Sequence, residues 1–341
     1  MKTNTSNPIR SIVKKLNPFI AATFVVALLA GCDNKGGASA EGPQPKKLRL
    51  AFIPNTANEY WSIVHVGCDF AAKNLGNVEL EFRFPTRMTA EAQKEVISAL
   101  LERGVDGIAI SPIDADQQAE FLNTVASKTL LICADSDAEN SKRVCYIGTD
   151  NVAAGKEAGE LLKAALPQGG KVALFIGYPN AQNTKDRVQG IQSALAGSGV
   201  QIVETIADDH KSPEAQKNAT DMLAKHGDLA GMIGIYSYHG PALVTAARSA
   251  GKAGKVKIVC FDNDNETLAG IVAGEIYGTV VQRPLSIGAH SIFRMGRYLR
   301  GETDQLTPEK IFIPLRTITT REEVEDFQMR QKGLLQPDEK F

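Results

Sequence analysis

The sequence predicts an α/β protein of two doubly wound lobes, each a mostly parallel sheet with helices on both faces. Three observations carry that prediction. Strand-like and helix-like segments alternate with little interruption from Leu48 onward. The strand-like segments, Val172 to Ile176 and Lys257 to Phe261 among them, are nearly continuous apolar runs. Such runs suit parallel strands covered on both faces rather than a half-exposed antiparallel sheet. The same succession then occurs a second time, which points to two lobes of one architecture.

In the first succession the strands are expected at Leu48–Pro54, Val78–Phe84, Val105–Ser111, Thr129–Ala134 and Val144–Gly148. Tyr60, Ile63, Val64, Gly67, Phe70 and Ala71 recur at helical spacing after the first strand, so one face of that segment meets a core. Met88–Arg103 repeats the pattern with Val96, Ile97 and Leu100 and stops at Gly104. The second succession places helices at Asn151–Leu166, Lys185–Ala196, Pro213–Lys225 and Pro241–Ala250. Its strands fall at Lys171–Gly177, Val200–Ile206, Ala230–Ile235 and Val256–Phe261. A strand at Ile276–Gln282, a helix at Leu285–Leu299 and a single last strand at Ile311–Thr319 complete the pattern. Short stretches near Gly148–Asn151, Gln282–Pro284 and Ile311–Leu315 are expected to carry the chain between lobes. The expected organisation is thus 48–149 with 283–311 as the N-terminal lobe and 150–282 with 312–320 as the C-terminal lobe. Residues 321–341 form a charged tail, expected as a surface helix and a loose end.

The N-terminus has a different character. Arg10, Lys14 and Lys15 precede an apolar run from Phe19 to Ala30, and Leu29-Ala30-Gly31-Cys32 ends it. A basic region, a short apolar region and small residues before a cut site make a secretory signal. The run is far shorter than the ~20 residues that span a bilayer. The expectation is a signal peptide over 1–31 and a flexible, glycine-rich linker over 32–47. Leu-Ala-Gly-Cys resembles the lipobox of bacterial lipoproteins, which implies a lipid on Cys32. The expected location is the periplasm or cell surface, lipid-anchored; Asp33 directly after Cys32 resembles the signal for retention at the inner membrane, which in a Gram-negative host implies the outer face of the cytoplasmic membrane.

Charge is balanced, with 38 basic and 39 acidic residues and no basic stripe, so nucleic-acid binding has no electrostatic support. Cys68, Cys133, Cys145 and Cys260 follow the signal, too few for a disulfide scaffold. Cys133 and Cys145 close the shortest loop and are the pair to consider, against four small buried thiols.

Ligands of open α/β sheets bind beyond the carboxyl ends of the strands. Those ends offer Asn55, Asn58, Tyr60 and Trp61, then Ser111, then Asp135-Ser136-Asp137. The second succession offers Tyr178 to Lys185, Asp208, Asp209, Tyr236 to His239, Asp262 to Asp264, and Gln282. Aromatic rings cover the C–H faces of a sugar or polyol, while carboxylates and amides pair with its hydroxyls. Trp61, the sole tryptophan, and the matched Asp135 and Asp262 stand out. Arg187 reads as a structural helix residue pairing a nearby carboxylate. No nucleophile elbow, phosphate loop or dinucleotide fingerprint is present in the sequence. The five histidines lack metal-ligand spacing, and Asp262 to Glu266 opens like a calcium loop but has Thr267 where glycine is required. Neither cofactor nor metal is expected.

Several segments together resemble the periplasmic sugar-binding proteins of the ribose-binding type, the substrate-binding components of ABC importers. They are Asn58 to Trp61, "LLICADSDAE" at 130–139, "YIGTDNVAAGKEAGELL" at 146–162, "KDRVQGIQSAL" at 185–195, "KVKIVCFDNDNET" at 255–267 and "GTVVQRPLSIGAHSI" at 278–292. The resemblance runs from Leu48 to about Thr320 with the motifs in order. It implies the periplasmic-binding-protein-like type I fold, two Rossmann-like lobes joined by three crossover strands and closing like a jaw. It implies sugar contacts at Asn58, Tyr60, Trp61, Asp135, Asp262 and Gln282, with Asp137, Lys185 and Tyr236 beside them. Ribose binders carry arginine where Lys185 and Ser136 stand and asparagine where Tyr236 stands, which points away from ribose itself.

The function expected is therefore a lipid-anchored, monomeric receptor that takes a small sugar or polyol to an ABC permease in the cytoplasmic membrane. A receptor reporting to a histidine kinase or chemoreceptor is one alternative. An exported sugar-modifying enzyme is another, disfavoured because no matched acid and base can be named.

Overall fold

The structure, a computed structural model, describes residues 46–333. The signal peptide expected over 1–31, Cys32 and the end of the tail lie outside the described residues. The chain runs β1 (Leu48–Ile53), α1 (Glu59–Leu75), β2 (Val78–Phe82), α2 (Ala90–Glu102), β3 (Gly107–Ile110), α3 (Ala115–Ala126), β4 (Leu130–Ala134) and β5 (Cys145–Gly148). It continues through α4 (Asn151–Ala165), β6 (Gly170–Ile176), α5 (Gln182–Leu195), β7 (Val200–Ala207), α6 (Ser212–Lys225), β8 (Leu229–Gly234), α7 (His239–Ser249) and β9 (Lys257–Phe261). Next come α8 (Asn265–Val272), β10 (Gly278–Val281), α9 (Pro284–Leu299), β11 (Lys310–Phe312), β12 (Arg316–Ile318) and α10 (Arg321–Gly333).

Two six-stranded sheets result, ordered β2-β1-β3-β4-β5-β11 and β7-β6-β8-β9-β10-β12. The first five positions match one for one, which is the doubly wound order repeated. All of those ten strands pair in parallel with their neighbours. The expected last strand, Ile311–Thr319, is two strands in two sheets. β11 lies parallel to β5 and β12 antiparallel to β10. One extended segment serves both edges without reversing, so its direction suits only the first sheet.

Helices begin where side chains satisfy the free N–H groups of a first turn. Asn58, Thr89, Asp114 and Asp150 each accept from a backbone N–H three residues on, and Asp264 accepts from Glu266 N. Each sheet has an apolar cluster on both faces. Cys145 belongs to one cluster of the first sheet and Cys133 to the other. The register explains why: Cys145 sits beside Ile132, and Cys133 beside Tyr146. Neighbouring partners share a face and successive residues alternate, so the two sulfurs point to opposite sides of the sheet. The four described cysteines are free and buried, and no Cys133–Cys145 disulfide forms.

Two helix pairs pack backbone to backbone. A Cβ on Gly67 of α1 would lie 2.0 Å from Leu285 O in α9, and one on Gly288 would lie 2.1 Å from Val64 O. In the second lobe a Cβ on Gly155 of α4 would lie 2.1 Å from Arg187 O in α5. Gly155→Ala must therefore push α5 outward. We expect a loss of about 1–3 kcal/mol, the scale of overpacking, read as a lower midpoint in urea denaturation with an unchanged slope.

Candidate ligand-binding cleft

The carboxyl ends of both sheets face a shared cleft. Asn58, Tyr60, Trp61 and Asp135 line it from the first lobe, Tyr236 and Asp262 from the second, and Gln282 from the end of β10. Arg187 and His210 line it as well.

Asp135 and Asp262 are placed by one device used twice. Each directly follows a central strand, β4 or β9, and each has a left-handed backbone, φ 66° and 67°. Asp is among the few residues that tolerate that conformation. Each donates its N–H to the neighbouring strand, Asp135 to Ile147 O (3.2 Å) and Asp262 to Val280 O (2.8 Å). Each carbonyl accepts a hydroxyl from that same strand, from Tyr146 (3.0 Å) and Thr279 (2.7 Å). The sharp turn lifts each carboxylate off its strand end into the cleft. The Asp135 carboxylate accepts from Tyr60 (2.9 Å), Ser111 (3.0 Å) and, across the cleft, Asn183 (3.3 Å). Asp262 accepts from Gln282 Nε2 at 3.1 Å. Burial raises the pKa of both carboxyls, and Arg187 opposes the rise; Asp262 is pushed up to about 6.

Arg187 is 1 % exposed. Its guanidinium donates to Asn151 Oδ1 (2.8 Å), Ile235 O (2.6 Å) and Gln282 Oε1 (2.8 Å). It lies over the Phe261 ring, 4.6 Å from the centroid. Gln282 is thereby oriented: its oxygen takes Arg187 and Thr149, and its amide N–H groups are left for Asp262. Trp61 is 2 % exposed, with its indole N–H on Thr56 Oγ1 at 2.8 Å. Its ring meets Tyr60 edge-on at 5.3 Å. Tyr236 donates to Asn183 Oδ1 (3.0 Å), so it accepts from Thr184 at 2.7 Å.

Behind Tyr236 lies a closed polar set. His239 Nδ1 accepts from Tyr236 N (3.1 Å), so its Nε2–H donates to Asp208 at 2.7 Å. Tyr238 also donates to Asp208, at 2.6 Å. His239 thereby anchors the Tyr236 loop. Among the described residues no three His, Cys, Asp or Glu side chains gather as a metal site.

Two expected contacts are not in the cleft. Lys185 points away from it and pairs with Asp116 of the other lobe at 2.8 Å, with its side chain 38 % exposed. Asp137 is buried in a fork with Arg143, which also holds Glu309. Both carboxylate oxygens of Asp137 are thus engaged. In place of Lys185 the cation in the cleft is Arg187, read from sequence as structural.

The comparisons with known proteins bear on this geometry. A family model described as the periplasmic binding protein domain matches residues 50–303. The D-ribose/D-allose-binding protein of Pseudomonas aeruginosa is 23% identical over 293 residues, covering 83% of this chain and 92% of the relative. The ribose import binding protein of Bacillus subtilis is 26% identical over 233 residues, 67% of this chain and 73% of that one. A solute-binding protein from Burkholderia graminis, solved in complex with D-arabinose, superposes with TM-score 0.77 at 28% identity, covering 82% of this chain and 97% of its own. A glucose-galactose binding protein from Geobacillus stearothermophilus gives TM-score 0.76 at 26% identity, covering 80% and 98%.

Proposed function

Because the chain belongs to the periplasmic binding protein domain family, a family of substrate-binding proteins rather than enzymes, we propose that it captures a small sugar or polyol between its lobes for an ABC importer. The observation that carries this is the facing pair Asp135 and Asp262, one from each lobe, beside the Tyr60 and Trp61 rings in one cleft. A ligand held by both carboxylates is fully bound only with the lobes together, so it favours the closed state by its differential affinity. The lobes already touch at the rim through Lys185–Asp116, Asn180 Nδ2 to Asp114 (3.0 Å) and Tyr178 OH to Met88 O (3.1 Å). Thermal unfolding against a panel of sugars and polyols tests capture, since a bound ligand raises the apparent stability. Small-angle scattering should show compaction with the ligand that scores. A ligand bound tightly without change in radius of gyration would remove the jaw from the reading.

Trp61 supplies an internal probe, as the only tryptophan of the chain. Saturating ligand should shift its emission, and Trp61→Ala should weaken binding by about 1–3 kcal/mol, the scale of a buried aromatic face. Unaltered emission together with full affinity in the variant would confine Trp61 to packing. A lipid on Cys32 holding the protein on the outer face of the cytoplasmic membrane is the matching proposal for the N-terminus, supported by Leu29-Ala30-Gly31-Cys32. Cys32→Ser should move it from the membrane to the soluble fraction, and wild type with an unmodified mature N-terminus would end the idea.

A further inference from the structure

Lys185 and Asp186 stand side by side on α5 of the second lobe, and both act on the first lobe rather than in the cleft. Lys185 Nζ reaches Asp116 Oδ2 of α3 at 2.8 Å. It holds the Asp116 carboxyl below its ordinary pKa. Two further contacts flank this pair on the same rim, Asn180 Nδ2 to Asp114 Oδ2 at 3.0 Å and Tyr178 OH to Met88 O at 3.1 Å. The chain passes from lobe to lobe between β5 and α4, between β10 and α9, and between β11 and β12. No backbone joins the lobes at the rim, so opening them breaks all three contacts. The Lys185 and Asp116 side chains are 38 % and 64 % exposed, which leaves their attraction open to screening by salt.

Asp186, next along the helix, meets the opposite field. Gln182 Nε2 donates to its carboxylate at 2.7 Å from the same helix. Across the lobe boundary it faces Glu139, Asp137 and Lys310. Lys310 is paired with Glu139, and Arg143 is shared between Asp137 and Glu309. This corner of the first lobe thus sets three carboxylates against two cations, and it repels a further carboxylate. Burial raises the pKa of Asp186 and Glu139 adds to the rise, while the Gln182 bond and Lys310 oppose it. Closing the lobes therefore brings Lys185 to an attractive partner and its neighbour Asp186 to a repulsive one.

We propose that Lys185 and Asp186 are positioning residues that set the closing equilibrium of the lobes, Lys185 as a clasp on Asp116 and Asp186 as a spacer against the Glu139 corner, and that they tune affinity without touching the ligand. The proposal rests on the sugar-capture reading and adds to it two residues outside the cleft. A ligand held fully only by the closed state has an apparent affinity in proportion to the population of that state. Loss of the clasp therefore weakens binding, and loss of the spacer strengthens it.

The test is isothermal titration of the mature chain with D-ribose, D-allose, D-arabinose and D-galactose, continued with the one that binds tightest. At low salt, Lys185→Met and Asp116→Asn should each weaken binding about two- to fivefold, the range of an exposed ion pair. The double variant should lose no more than either single one, because both remove the same interaction. Asp186→Asn should strengthen binding about twofold, a like-charge contact being of similar size. All of these differences from wild type should shrink at about 0.5 M NaCl, where a packing role would leave them unchanged. Weak binding by Lys185→Met with wild-type affinity in Asp116→Asn would put Lys185 on the ligand and overturn the clasp. Asp186→Asn binding no tighter than wild type overturns the spacer, and differences that persist undiminished in salt overturn both. In each of these cases sugar capture stands. If wild type binds none of the four sugars, the sugar-capture reading falls and takes this proposal with it.

Discussion

Replacing Arg187 by methionine is expected to destabilise the ligand-free protein by about 3–5 kcal/mol, the scale of removing one partner from a buried charge set. Methionine fills much of the volume, so the loss is electrostatic and polar rather than a cavity. Asn151 Oδ1 and Ile235 O lose their guanidinium donor, and Gln282 Oε1 keeps only Thr149. The two cleft carboxylates lose the cation that opposes the rise of their pKa values. Lysine would return a charge without the planar fork, so Arg187→Lys should recover only part of the loss. Urea denaturation measures both. Adding Asp262→Asn to Arg187→Met should cost less than the sum of the two changes, because it removes a carboxylate the arginine no longer balances. Strict additivity would show that Arg187 and Asp262 act independently.

Asp262→Asn alone is expected to make the protein more stable and a worse receptor. The sign follows from the direction of the shift. Burial lifts the folded-state pKa of Asp262 to about 6, from an ordinary value of 3.8. A group raised in the folded state contributes stability that is full below the unfolded pKa and lost as pH rises through the folded one. At pH 7.5 the wild type therefore carries the whole cost of an ionised buried carboxylate, about 1–3 kcal/mol at 1.36 kcal/mol per pH unit. Asparagine removes that cost and tolerates the left-handed backbone that position 262 requires. Its advantage over wild type should shrink as pH falls through 6 and vanish near 4, followed by melting temperature against pH. Ligand affinity should fall by about 1.5–3 kcal/mol with the loss of a charged acceptor. A variant less stable than wild type at pH 7.5, or one that binds as tightly, would contradict this account.

Most of the architecture was readable because it is written in hydrophobic periodicity. Continuous apolar strands and 3.6-residue stripes placed both sheets to within a few residues. The crossover expected near Ile311–Leu315 divides the single strand expected over Ile311–Thr319 in two, with Pro314 between β11 and β12, because a β period is the same on either side of it. One rule, that binding clefts lie beyond the carboxyl ends of strands, picks out Asp135, Asp262, Tyr60, Trp61 and Gln282, which line one cleft. Arg187 was lost by trusting a motif over a helix face. Counting back from Leu195 and Ile191 along α5 selects Arg187, with Asn183 and Thr184 one turn earlier, and leaves Lys185 outside that buried stripe. His210 carries no such signal. Its position depends on the left-handed backbones of Asp209 and His210 and on the room left by Gly177, where a Cβ would lie 2.5 Å from His210 Cε1, and neither leaves a period.

The first lobe's sheet begins at Leu48 and ends with β11, which forms only when Lys310 to Phe312 arrive. The core under α1 also draws on Ile287, Ala289, Ile292, Phe293 and Met295 of α9, and on Leu306 and Ile313. A nascent chain therefore cannot finish this lobe while its own residues are the only ones available. The second lobe's central strands are complete in sequence by Val281, before α9 is made. Long loops must close before the first core repays their entropy, which slows folding. The lobe made first is sealed by residues made last.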